Sequence, residues 1–251
     1  MATSSTTPDN HFRASDHLSD SKLHLLIAST GSVATIKLPQ ILHAFSHHPN
    51  LSIRLLLTTS ATKFLASQSP EQPPLDSLLS IPNVDALHLD PDEWHPAWTR
   101  GAPILHIELR RWADAMLIAP LSANSLAKIA NGMADNLITS VVRAWDSTGL
   151  IDGVREGAET TRTAGGKKRL FVAPAMNTAM WLHPVTGRQM GVLEEWSEEN
   201  GGWITVLKPV EKELACGDVG GGAMMEWSSI VEVVEQALGL KRHSRLNGDL
   251  I

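Results

Sequence analysis

The chain has 251 residues, a formal net charge of −6 and a hydrophobic fraction of 43%. That length suits one α/β domain with a sizeable core, and the acidic balance argues against nucleic acid or an anionic membrane surface as a partner. No apolar run approaches the roughly 20 residues that span a bilayer, and a single cysteine rules out an internal disulfide framework and fits a reducing, cytoplasmic setting.

Residues 1–21 are rich in Ser, Thr and Asp, lack the apolar stretch of a secretory signal, and read as a disordered tail. Residues 23–29 form a short apolar run ending in Thr30-Gly31-Ser32, the pattern of a buried parallel strand entering a tight turn. Residues 33–47 have helical spacing, with Ile36, Ile41, Leu42 and Phe45 on one side and Pro39 marking a kink or a late first turn. His43, His47 and His48 are expected in solvent at the end of that helix. A second strand is predicted over 53–58 and a capped helix over 60–66, followed by a proline-rich loop over 68–83. Residues 84–89 suit a short strand, 90–103 are irregular, 104–113 suit a helix and 115–119 a strand. Two further helices are expected over 122–132, with a Ser start and a Gly stop, and over 136–145.

Residues 150–168 are polar, glycine-rich and without periodicity, and are expected to be an exposed insertion. Beyond them come a strand over 170–173, a helix over 184–199, a strand over 203–207, a loop over 209–225 and a closing helix over 228–238; residues 241–251 read as a polar tail. Alternating strands and helices predict a three-layer, doubly wound parallel sheet of Rossmann or flavodoxin-like type, a single domain over 22–240. In such folds ligands sit beyond the carboxyl ends of the strands.

Three strand ends would open toward that crevice. Gly31-Ser32-Val33 stands where a strand meets a helix start, so close backbone approach, a hydroxyl and free amides are available to a phosphate. The pattern is neither G-x-G-x-x-G nor a Walker loop, and a plain tight turn explains it equally well. Thr58, Thr59 and Ser60 close the second strand and serve as helix caps at least as often as ligand contacts. Ser122-Ala123-Asn124-Ser125 begins a helix after the strand at 115–119, and Asn124 adds an amide able to donate and accept. Three such starts around one crevice suit an anionic ligand such as flavin mononucleotide. Pro174-Ala175-Met176-Asn177 is a rigid turn that presents the Asn177 amide. His106 has no second ligand at a metal spacing, so any chemistry there is hydrogen bonding or proton transfer, and the ordinary alternative is a surface or satisfied core histidine. Cys216 lies among glycines in a loop, the setting of a thiol that must approach a substrate more than of a packed core cysteine.

With these pieces assembled, the chain resembles the flavin-containing cysteine decarboxylases, in their eukaryotic coenzyme A branch. The resemblance runs from about residue 23 to 238 and is carried by the strings at 31–37, 104–113, 119–146 and 172–181, by Cys216-Gly217-Asp218 and by Gly222-Ala223-Met224. It implies a homotrimer that uses flavin mononucleotide to decarboxylate phosphopantothenoylcysteine, with active sites at subunit interfaces. It places the cofactor against Gly31, Ser32, Val33, Thr58, Ser60, Ser122, Ala123, Asn124, Ser125 and Ala175. Asn177, Ala215 and Met224 are implied on the substrate, His106 as the essential histidine and Cys216 as the proton donor after loss of carbon dioxide. Two departures stand out: Glu213 where a basic residue is common, and the length of the 150–168 segment.

The resemblance also leaves other roles to weigh. Some fungal relatives are inhibitory subunits of a type 1-like protein phosphatase and carry long acidic tails, whereas this chain has Lys241-Arg242-His243-Ser244-Arg245. Others divide His, Asn and Cys among the subunits of a heterotrimer; here His106, Asn177 and Cys216 share one chain, which predicts self-sufficiency. A decarboxylase acting on a peptide's C-terminal cysteine is the third reading.

Overall fold

The computed structural model describes residues 12–213 and 219–240. Six strands form one parallel sheet: β1 (Leu23–Ser29), β2 (Leu51–Leu57), β3 (Val84–Leu89), β4 (Ala115–Leu121), β5 (Arg169–Pro174) and β6 (Ile204–Val206), in the order β3-β2-β1-β4-β5-β6. The order reverses between β1 and β4, the doubly wound arrangement the alternating pattern predicts. An antiparallel hairpin of β7 (Val210–Glu213) and β8 (Val219–Ala223) lies outside the sheet.

Alternate residues of β1 enter opposite cores. Leu25 and Ile27 join Leu38, Ile41, Phe45, Ile230 and Val234, whereas Leu26 and Ala28 join Leu109, Trp112, Leu126 and Ile138. Both faces are therefore covered, which is why the central strands read as nearly continuous apolar runs. The first face carries α1 (Leu38–Phe45) and the closing helix; the second carries the helices after β3 and β4. Pro39 occupies the first turn of α1, after a 3-10 turn over Val33–Lys37, so the late-start alternative holds and no kink is needed. In chain order the remaining helices are α2 (Thr59–Thr62), α3 (Leu75–Leu78), α4 (Leu105–Trp112), α5 (Ala123–Ala130), α6 (Leu137–Arg143), α7 (Thr178–Leu182), α8 (Pro184–Glu195) and α9 (Trp227–Leu238). Among the described residues no helix is long and apolar enough to cross a membrane.

The structure corrects four expectations. The tail does not extend to residue 21: Phe12 and Ala14 are buried, the Arg54 guanidinium stacks 3.8 Å from the Phe12 ring, and the Ala14 N–H donates to Glu108. His48 is buried and pairs with Glu235 on α9 at 2.8 Å. The 209–225 stretch, expected as a loop, carries the paired strands β7 and β8.

The fourth correction concerns residues 150–168. Leu150 and Ile151 are exposed, but Ala158, Thr161, Arg162 and Lys168 are buried. Polar groups are the fasteners. Arg155 reaches back to Asp114 at 2.7 Å and to the His17 carbonyl. The Lys168 ammonium donates to the last turn of α4 at the Arg110 carbonyl and to Asp152. Burial lowers the Lys168 pKa to about 8, against the pull of Asp152. At the head of the segment, the buried Asp146 carboxylate accepts N–H bonds from Thr148, Gly149, Ile151 and Asp152. Burial alone would raise its pKa; the bonds from Asp152, Thr148, Ile151 and Gly149 outweigh that and hold it at about 2.

Asp146→Ala strips a charged acceptor from four backbone donors and is expected to destabilise the fold by about 3 kcal/mol or more in denaturant unfolding. The wild-type carboxylate is ionised in both folded and unfolded chains above its ordinary pKa of 3.8, where its contribution is complete. That contribution is lost as pH falls through the folded value near 2. Acid titration of stability should show this loss between those values in the wild type and not in Asp146→Ala.

Candidate active site

The carboxyl ends of β1 and β4 are stitched together by polar side chains. Ser29 Oγ donates to the Ala119 carbonyl at 2.6 Å. Thr30 donates through both its N–H and its hydroxyl to the Pro120 carbonyl, and its hydroxyl oxygen accepts from the Ser122 N–H at 2.7 Å. The adjacent strand joins through the Ala175 N–H, which donates to the Leu121 carbonyl at 2.9 Å. Beyond these ends the two chains diverge into the 3-10 turn at Val33 and into α5, as expected where strand order reverses.

The gap is a cavity of about 600 Å³, within the roughly 300–1,000 Å³ of small-molecule and cofactor sites. Gly31, Ser32, Val33, Ser122, Ala123, Asn124, Ala175, Asn177 and Met224, all marked in the sequence, line it together. Its remaining wall is largely apolar, with Ala34, Ile36, Phe64, Met176, Met180 and Trp227, and Lys37 and Glu226 add charge. A flat heteroaromatic ring suits the apolar wall. An anionic tail suits the starts of α5 and of the Val33 turn, whose first amides have no partner within their own helices.

Three other marked residues, Thr58, Ser60 and Ser125, do not line the cavity themselves. Thr58 caps α2, its hydroxyl accepting from the Ala61 N–H, so its oxygen is committed to the helix. Ser60 lies against Gly31: a Cβ added to Gly31 would come within 2.6 Å of the Ser60 Cβ. Glycine is therefore required here by close packing. Ser125 is buried beneath the cavity floor, accepting from the Ser122 hydroxyl and donating its N–H back to it. Ala215 and Cys216 lie outside the described residues, so their placement beside the cavity rests on sequence.

Asn177 is the N-cap of α7. Its Oδ1 accepts from the Met180 N–H at 2.8 Å. The cap fixes the amide plane, and Nδ2 has no protein partner among the described residues, leaving two N–H donors for a bound carboxylate or amide. The hairpin closes over this point. The Met176 N–H donates to the Gly222 carbonyl at 2.9 Å, and Gly221 and Gly222 rest on the Trp181 side chain. Gly222 has φ +103°, and a Cβ there would lie 2.7 Å from the Met176 carbonyl. The glycines that resemble loop filler thus permit a strand to lie flat on a tryptophan.

His106 is on the first turn of α4 and does not line this chain's cavity. Its Nδ1 is 2.5 Å from Glu93 Oε1, and its backbone N–H donates to Glu93 Oε2. A carboxylate only accepts, so Nδ1 carries the proton and Nε2 is left for another partner. Glu93 was missed in the sequence because it lies thirteen residues upstream, across an irregular stretch with no readable periodicity. Lys37, Phe64 and Trp227 were missed because their spacings match ordinary helix packing.

The flavoprotein family matches residues 13–239 of this chain. The chain belongs to the flavoprotein family. It is 41% identical over 228 residues to phosphopantothenoylcysteine decarboxylase of Arabidopsis thaliana, covering 90% of each protein. A solved structure of a cysteine-to-serine mutant of PPC decarboxylase complexed with pantothenoylaminoethenethiol is 42% identical and superposes with a TM-score of 0.65, over 86% of this chain and 97% of that one. The FMN binding protein AtHal3 is 41% identical, also with a TM-score of 0.65, over 88% of this chain and all of that one. This flavoprotein therefore shares its fold, and about two residues in five, with a decarboxylase of that type over most of its length.

Gly222→Ala in this flavoprotein should lift the hairpin, because a Cβ fits neither the positive φ nor the Met176 carbonyl. Hydrogen exchange at the Met176 amide should accelerate by at least about tenfold, equivalent to about 1.4 kcal/mol of lost local stability, while the exchange of β1 amides stays unchanged.

Proposed function

We propose that this flavoprotein binds flavin mononucleotide in the cavity between β1 and β4 and decarboxylates phosphopantothenoylcysteine to phosphopantetheine, a step of coenzyme A biosynthesis. The observation that carries the reading is the convergence of the Gly31 and Ser122 turns with the Asn177 amide around one largely apolar cavity. The similarity to phosphopantothenoylcysteine decarboxylases over nine-tenths of the chain supports the choice of substrate.

Bound flavin supplies a reversible two-electron oxidation of the thiol-bearing carbon, after which the charge left by departing carbon dioxide can spread onto sulfur. The chain's own residues do the rest. Ser32 and the first amides of α5 would hold the phosphate end of the cofactor, and the apolar wall of Val33, Ile36 and Met176 would keep water from its ring. Asn177 Nδ2 holds the substrate carboxylate in line, with Oδ1 locked in the cap. His106 offers Nε2 to the reacting end of the substrate, and Met224 packs beside it. Cys216 delivers a proton to the decarboxylated carbon.

The active form in this reading is a cytoplasmic homotrimer. His106 lies off its own chain's cavity and so would complete the cavity of a neighbouring copy. Trp94 and Trp98, 63% and 50% exposed on the segment that carries Glu93, are the apolar surface such a neighbour would cover.

Purified alone, the chain should be yellow, elute as three copies and release carbon dioxide from phosphopantothenoylcysteine. His106→Asn should abolish turnover with flavin retained. Cys216→Ser should accumulate an oxidised, decarboxylated product and form no phosphopantetheine. A colourless protein, or full phosphopantetheine formation by Cys216→Ser, contradicts the proposal.

A further inference from the structure

Glu93 is a buried carboxylate, with only 4% of its side chain exposed, and both its oxygens are committed to one residue. Oε1 accepts from the Nδ1–H of the His106 ring and Oε2 accepts from its backbone N–H. The imidazole is 22% exposed, so with Nδ1 occupied its available polar atom is Nε2. The short turn that carries Glu93, Asp90–Trp94, is itself braced on three sides. Asp90 accepts from the Leu137 N–H at the start of α6 and from the N–H and hydroxyl of Thr59 at the start of α2. Asp92 accepts from the Leu89 N–H, where β3 ends. The backbone that carries Glu93 is therefore tied to the frame of the domain on either side of it.

A buried carboxylate on one imidazole nitrogen does two things. It selects the tautomer with the lone pair on the opposite nitrogen, and it offsets the positive charge when that nitrogen takes a proton. A helix-capping role alone would need only the backbone contact, which a side chain with one acceptor oxygen could make.

We infer that Glu93 is a positioning residue for His106, fixing the ring with Nδ1 protonated and Nε2 presented to the substrate. The inference rests on the proposed role of His106 as the active-site histidine. It assigns to the Asp90–Trp94 turn a function in turnover besides its packing.

The test uses the flavin-loaded full-length protein with Glu93→Gln, Glu93→Ala and His106→Asn side by side. Protein labelled with ¹⁵N-histidine reports the tautomer directly, the His106 signals being those absent from His106→Asn. The wild type should show a protonated Nδ1, and Glu93→Ala a shift toward protonated Nε2. Both Glu93 variants should lose kcat by about tenfold to a hundredfold, with Gln less affected than Ala, while KM stays within about twofold and bound flavin is unchanged. If Glu93→Ala does not fold, Glu93→Gln, which keeps the shape and one acceptor, decides by the same kinetic criterion. Wild-type kcat in Glu93→Gln beside an inactive His106→Asn overturns the inference alone, as does an unchanged tautomer in Glu93→Ala. Full activity in His106→Asn instead overturns the reading on which the inference stands.

Discussion

Thr30 makes the contact on which the site depends. Two parallel strands in a doubly wound sheet must part company at their carboxyl ends, because one chain leaves for each face. The separation exposes backbone groups that the sheet no longer pairs. Thr30 resolves this by donating twice to Pro120 and accepting from Ser122, so that β1 and β4 remain joined to the last residue and then open abruptly. Three stretches of the cavity wall are placed by that seam. Gly31 follows it directly and packs flush on Ser60; Ser122 begins α5; and Ala175 extends the seam into β5.

A second tier of polar contacts positions the chemistry. Asn177 caps α7 and by doing so aims its amide; Glu93 anchors both the backbone and the ring of His106. In each case one group satisfies a helix start and also orients a side chain. Such double use explains why these residues resist interpretation by either role alone. The stability of the frame comes from the two cores and from buried charges beside them, where Asp146, Lys168 and Arg155 hold a segment that buries no large apolar side chain of its own.

The sheet and much of the cavity were legible in the sequence, for definable reasons. Strands buried on both faces leave apolar runs such as residues 23–29, and helix starts beside them show as Gly31-Ser32 or Ser122. Gly31, Ser122, Asn124, Ala175 and Asn177 are local signals, each visible within a few residues of its own strand. What was not legible depends on distance or on disguise. Glu93 and His106 meet only because the irregular segment between them folds back. Residues 150–168 look solvated because their composition is polar, yet Asp152, Arg155, Arg162 and Lys168 are turned inward, Arg162 toward Asp146 and Lys168 onto α4. Phe12 is a single aromatic in a polar stretch, and nothing nearby shows that Arg54 waits to stack on it. The glycines of β8 look like a loop because their reason lies in Trp181, some forty residues earlier in the chain.

The proposed function makes the cavity at the seam between β1 and β4 a flavin site that a neighbouring copy's histidine completes. A crystal structure of the full-length protein grown with flavin mononucleotide tests this most directly. The account predicts the flavin ring in the cavity between the Gly31 turn and Ser122, its phosphate on the first amides of α5 and Ser32, and His106 of an adjacent copy facing it with Nε2. Flavin bound elsewhere, or a cavity filled with no histidine from a second copy near it, would contradict that claim.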